Sequence, residues 1–84
     1  METNEEQVSR NIKSVRQKRG LTQEEIAKNM SISKPTYIQI ENNPFKQSIT
    51  KLIELSDALD CSIDEFFLEQ NITKSDKFQE TLKM

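Results

Sequence analysis

Two helix-start signatures eleven residues apart, at Thr22 and Ser33, constrain this chain more than any other feature. Thr22 stands three residues before Glu25, the spacing of a capping box, in which hydroxyl and carboxylate each satisfy the other residue's backbone N–H. Leu21 before the cap and Ile26 after it are placed as a hydrophobic staple. Ile26, Ala27 and Met30 then fall on one face. Ser33 starts a second helix: its hydroxyl is predicted to accept from the Thr36 amide, because Pro35 has no N–H to offer. Proline's preference for the first helical position would instead make Lys34 the cap, and Ser33 is the favoured choice. Only Ser31 and Ile32 separate Met30 from Ser33, so the two helices must meet at a sharp corner.

The second of these helices has two distinct sides. At about 100° per residue, Tyr37 and Ile40 share a face with Ser33 and Glu41, while Pro35, Ile38, Gln39 and Asn42 lie opposite. The rest of the chain reads as support. Residues 1–7 are expected to be a polar lead-in, and residues 8–69 one folded domain. Val8, Ile12 and Val15 have helical spacing, and Gly20 supplies a left-handed residue to end that helix. Ser48 opens a helix whose Ile49, Leu52, Ile53, Leu55 and Leu59 suggest a wide apolar face, ended by Asp60. Ser62 with Glu65 is a second capping-box pattern, with Cys61 and Phe66 as its staple, opening a short fifth helix to about Leu68. Residues 70–84 are either a tail or a short docking helix carrying Phe78 and Leu82.

Composition narrows the class. Eighty-four residues suffice for one domain, and 33% hydrophobic content with one Gly and two Pro leaves little material for hairpins, so the expectation is all-α. One Cys and no His exclude an internal disulfide, a zinc site and histidine-based catalysis. No catalytic constellation is present, so an enzyme is the poorest hypothesis and no cofactor is expected. No apolar run reaches the roughly 18 residues of a membrane span, and the acidic start is unlike a signal peptide; cytoplasmic location is the default expectation. The net charge of −2 hides a dipolar distribution. Residues 8–20 carry Arg10, Lys13, Arg16, Lys18 and Arg19 with no acid, whereas residues 48–84 carry four Lys against eight acids. A basic face can therefore exist on an acidic chain.

From Ile12 to Phe67 the chain resembles the Cro and phage-repressor type of helix-turn-helix domain, the XRE family. RQKRGLTQEEIAKNMSIS, the IEN that ends the third helix, and SITKLIELSDALDCSIDEFF carry the resemblance. It implies a compact five-helix domain that binds double-stranded DNA with its third helix in the major groove. Eight or nine residues rise about 12–14 Å, suited to a groove about 12 Å wide. The resemblance places base reading at Lys34, Pro35 and Gln39, and phosphate contacts at Thr22, Gln23, Asn42, Asn43 and Lys46. It also implies that Arg16 and Glu41 pair with each other. A bidentate bridge there would tie the first helix to the end of the third, making Arg16 structural. Three positions where the family usually has Gly hold Ser31, Asn43 and Asp60; Asn and Asp tolerate left-handed backbone better than Ser.

Each residue also has a plainer reading. Gln39 is either a solvated glutamine or an amide placed to pair with adenine N6 and N7. Lys34 is a surface charge or a contact to guanine or phosphate. Ile38 is an exposed aliphatic residue or a partner for a thymine methyl. Ser33 and Thr36 serve first as helix-start residues, with hydroxyls that can also touch phosphate. Arg10, Lys13, Lys18 and Arg19 offer a non-specific electrostatic contribution or a solvated face. Cys61 stands at a packed position in the family pattern. Phe67, Leu68, Ile72 and Phe78 are apolar enough to cover the core's edge or to form a dimer contact. The expected function is a transcriptional regulator, a repressor acting as a homodimer on a palindromic operator. Its control is expected to come from abundance or from a regulatory protein partner. The alternatives are the antitoxin of a toxin–antitoxin pair, binding both DNA and a protein with the tail after Glu69 as the toxin contact, and a protein-interaction module that has lost DNA binding.

Overall fold

The computed structural model describes residues 4–68, and these are helical throughout their ordered elements. Four α-helices, α1 (Glu5–Lys18), α2 (Gln23–Asn29), α3 (Lys34–Asn42) and α4 (Ile49–Ala58), are joined by short connections. A 3-10 turn, Pro44–Lys46, precedes α4, and a 3-10 helix, Ile63–Phe67, follows it. The fifth helix is thus 3-10 rather than α. Its Ser62 hydroxyl accepts from Asp64 N at 3.2 Å, not from Glu65, so the second capping box does not form. A helix only five residues long gains little from α-type closure.

The first helix starts earlier than residue 8. Asn4 caps α1 by accepting from Gln7 N at 2.8 Å, so Glu5, Glu6 and Gln7 belong to the helix rather than to a lead-in. Both acids sit in its first turn, where the helix dipole favours them. Gly20 ends the segment with φ +71°. The expectations for the two central helices correspond to what forms. Thr22 and Glu25 make the reciprocal capping box at 2.8 and 3.0 Å. Ser33 caps α3 by accepting from Thr36 N at 3.2 Å.

Of the three positions where glycine is usual, two take left-handed backbone, Ser31 at φ 61° and Asp60 at φ 55°. Asn43 does not: its φ is −129°, because the chain leaves α3 through the 3-10 turn and never needs the left-handed region there. The corner between α2 and α3 is closed by Ser31 N donating to Lys28 O at 3.0 Å and Ile32 N to Ala27 O at 3.0 Å.

The core is Val8, Ile12 and Val15 of α1, Ile26 and Ala27 of α2, Tyr37 and Ile40 of α3, Leu55 and Leu59 from α4 and its end, and Phe66. Met30 and Cys61 pack against it half-buried. Burial raises the Cys61 thiol pKa, and Glu65 adds to the effect over the opposing pull of Arg19, which keeps the sulfur protonated and inert. The wide apolar face expected of α4 is narrower than its sequence suggests. Leu52, Leu55 and Leu59 face inward, while Ile49 and Ile53 stand in solvent. Ser56 occupies the inward face instead, its hydroxyl donating to Ile53 O at 2.7 Å. The expectations for Ile72, Phe78, Leu82 and residues 70–84 lie outside the described residues.

Candidate nucleic-acid interface

One exposed arc of α3 carries the residues expected to read bases. Lys34, Pro35, Gln39 and Asn42 are exposed and Ile38 is half-buried among them, all on the side opposite Tyr37, Ile40 and Glu41. The two sides separate because three apolar or paired residues at helical spacing bury one face and so project the other. Pro35 costs α3 nothing at its second position, where the N–H would have no intrahelical partner.

Gln39 is oriented by its neighbour. Asn43 Nδ2 donates to Gln39 Oε1 at 3.1 Å, which leaves the Gln39 amide N–H groups and one carbonyl lone pair facing outward. Asn43 therefore sits against Gln39 rather than reaching away from the domain, and its carbonyl accepts from Gln47 Nε2 at 3.2 Å. Ser33 and Thr36 hydroxyls bond each other at 2.9 Å while serving the helix start. Thr22 and Lys46 are exposed at the flanking elements.

Beneath this arc lies a buried polar cluster. The Glu41 side chain is fully buried and is the acceptor for three donors from three helices. Arg16 Nε donates to Oε2 at 2.8 Å, Tyr37 Oη donates to Oε2 at 2.7 Å, and Gln23 Nε2 donates to Oε1 at 2.8 Å. The Arg16 contact is single rather than bidentate, because its Nη1 turns to Leu21 O at 3.0 Å and holds the turn between α1 and α2. Gln23 is drawn inward by Glu41, so its amide nitrogen serves the cluster. What it can present to a phosphate is its backbone N–H at the start of α2.

The electrostatics of the cluster follow from this geometry. Burial works against the Arg16 charge, but the hydrogen bond and attraction of Glu41 outweigh it, and the guanidinium pKa is raised. Burial and the adjacent carboxylate both oppose ionisation of Tyr37, whose pKa rises far above its ordinary 10. The unfolded chain then loses this proton at a lower pH than the folded chain. Above the unfolded value of about 10 the unfolded state binds fewer protons, and stability falls as pH rises. We expect a loss of about 1.4 kcal/mol per pH unit above about 10. Tyr37 is the only tyrosine, so tyrosinate absorbance should appear together with loss of helical circular dichroism, and titration of the phenol before unfolding would refute this.

Sequence reasoning did not assign three of these roles. Arg19 donates to Leu59 O at 2.8 Å and Asp60 O at 2.7 Å, closing the end of α4, so it is not part of a free basic face. Arg10 reaches Glu6 at 3.3 Å on the surface of α1. Asn11 is fully buried and donates to Phe66 O at 2.8 Å and to Leu68 O, fastening the 3-10 helix to α1. Among the described residues Lys34 and Lys46 form no ion pair.

No helix among the described residues is long and apolar enough to cross a membrane, and no group of three or more metal-binding side chains is found there. Residues 12–66 match the family model described as helix-turn-helix. The chain is similar to antitoxin HipB of Escherichia coli O6:H1 (strain CFT073), with 37% identity over 57 residues, 68% of this chain and 61% of that protein. The chain thus spans less than two thirds of that relative's length. No solved structure gives a significant match.

Proposed function

The chain belongs to the XRE-type helix-turn-helix family of DNA-binding regulators, and from that premise we propose that it is a cytoplasmic, sequence-specific repressor that binds a palindromic operator as a homodimer. The observation that carries this reading is the exposed arc of α3. It is nine residues long, polar at Lys34, Gln39 and Asn42, and held at a set angle by Glu41 beneath it. Gln39 pairs with adenine through N6 and N7, and Lys34 contacts guanine or a phosphate. Pro35 and Ile38 supply apolar contact to thymine methyls. Thr22, the Gln23 backbone, Ser33, Thr36, Asn42 and Lys46 fix the register on phosphates. Asn43 acts on the same face by orienting Gln39. Two copies related by a two-fold axis place their α3 helices about 34 Å apart, one turn of the duplex.

Selection of bound sites from random duplex DNA tests the proposal. The parent should yield a palindrome, and Gln39→Ala should relax one base position per half-site at a cost of about 1–3 kcal/mol. Lys34→Ala should either relax a second position or weaken all sites alike, which separates base from phosphate contact. No enriched site, or identical selections from parent and both variants, would end this reading.

Similarity to antitoxin HipB favours a second reading, in which the same DNA-binding domain also holds a toxin. The tail after Glu69, residues 70–84, is the proposed toxin contact. Copurification of a second protein whose release follows deletion of those residues, with DNA binding retained, distinguishes it from the first.

A further inference from the structure

Asn43 stands where glycine is usual, yet its φ of −129° is open to any residue, so the backbone there does not call for an asparagine. Capping does not call for one either, because the side chain makes no hydrogen bond to the start of the 3-10 turn. The bond it does make runs back one helical turn, from Nδ2 to Gln39 Oε1 at 3.1 Å.

The base of that side chain is fixed on several sides. Asn43 N donates to Gln39 O at 2.8 Å, and its carbonyl accepts from Lys46 N at 3.1 Å and from Gln47 Nε2 at 3.2 Å. Pro44 is fully buried, and Phe45 N donates to Glu5 Oε2 at 3.2 Å, which ties the turn to α1. A side chain on so anchored a backbone can hold an exposed neighbour in one orientation.

Orientation matters because a glutamine amide can be presented in two senses. With Oε1 toward the exocyclic group of a purine and Nε2 toward N7, it matches adenine, whose N6 donates and whose N7 accepts. Turned over, it brings an N–H to the exocyclic position, where guanine offers the O6 acceptor. The two senses differ only by rotation of a soft terminal torsion, so a free glutamine takes both. Asn43 Nδ2 matches one of them, since the other would set N–H against N–H. The sense of Asn43 is set in turn by the end of α3, whose last carbonyls favour an N–H group over another oxygen.

We infer that Asn43 is a positioning residue that sets the sense of the Gln39 amide, and thereby makes the protein prefer adenine to guanine at the base Gln39 meets. This role rests on the DNA-binding reading and assigns the choice of purine to a residue that need not touch the base itself.

Binding of the full chain to two duplexes that differ only at this purine is the test, the duplex being taken from sites the parent selects. The parent should favour adenine over guanine about tenfold. Asn43→Ala should lose that preference, weakening the adenine duplex about tenfold more than the guanine duplex. Asn43→Asp puts an acceptor where the donor stood, so it should draw Gln39 Nε2 inward and bring guanine above adenine, even as its charge weakens both. Thermal transitions of both variants should show an intact fold, because neither the backbone angle nor a cap needs the asparagine. Without DNA, relaxation of the Gln39 side-chain amide nitrogen should show it ordered in the parent and mobile in Asn43→Ala. A mobile amide in the parent would overturn the inference. Equal weakening of both duplexes by Asn43→Ala would make Asn43 a phosphate contact instead, and adenine preference retained by Asn43→Asp would also overturn the inference. A parent that selects no site would sink the DNA-binding reading and this role with it, whereas a purine preference unchanged in both variants sinks this role alone.

Discussion

Arg16→Ala is expected to lower folding stability by about 3–5 kcal/mol, the usual consequence of stripping one partner from a buried ion pair. Glu41 is the reason the loss is large. Its side chain is fully buried, and its charge is offset by Arg16 together with hydrogen bonds from Tyr37 and Gln23. Without the guanidinium the carboxylate keeps two neutral donors and no counter-charge, in a site where burial makes an uncompensated charge costly. The turn between α1 and α2 also loses the bond from Arg16 Nη1 to Leu21 O. Small domains hold about 5–15 kcal/mol in total, so the melting temperature should fall by about 15 °C or more. Arg16→Lys should recover only part of this, since one ammonium cannot reproduce the fork that serves Glu41 and Leu21 together. Thermal and urea unfolding measure both variants, and a parent-like melting temperature for Arg16→Ala would show that the cluster does not hold the domain.

That cluster also shows what the sequence could and could not convey. Thr22 with Glu25, Ser33 with Thr36 and Ser48 with Lys51 are local devices, whose partners sit three residues apart and are readable from spacing alone. The inward residues of α2 and α3 follow from periodicity for the same reason. Arg19 and Asn11 were not readable because their acceptors are backbone carbonyls 40 and 55 residues away, and every residue has a carbonyl. The bond from the Gln23 amide to Glu41 is not readable either, because nothing local reveals that a buried carboxylate from α3 lies within its reach. Ile49 and Ile53 matched the apolar pattern of α4, but periodicity does not distinguish a residue facing the core from one facing a second surface.

The fate of the arginines sets an expectation for DNA binding that composition alone would miss. Affinity for duplex DNA should fall about 100-fold between 50 and 200 mM salt, less steeply than the basic N-terminal segment suggests. Counterion release scales with the number of phosphates neutralised by cations, with a slope of about −0.9 per contact. Arg16 is spent on Glu41, Arg19 on the end of α4, and Arg10 lies beside Glu6. The cations left on the proposed interface are Lys34 and Lys46, so a dimer offers about four contacts and a logarithmic slope near −3.6. Fluorescence anisotropy over a salt series measures it. Lys46→Ala should flatten the slope by about 1.8, one contact from each protomer, and weaken all sequences alike. A parent slope of −8 or steeper would mean that Arg10, Lys13, Lys18 or Arg19 reaches phosphate after all, and that the intramolecular bonds of the two arginines give way when DNA binds.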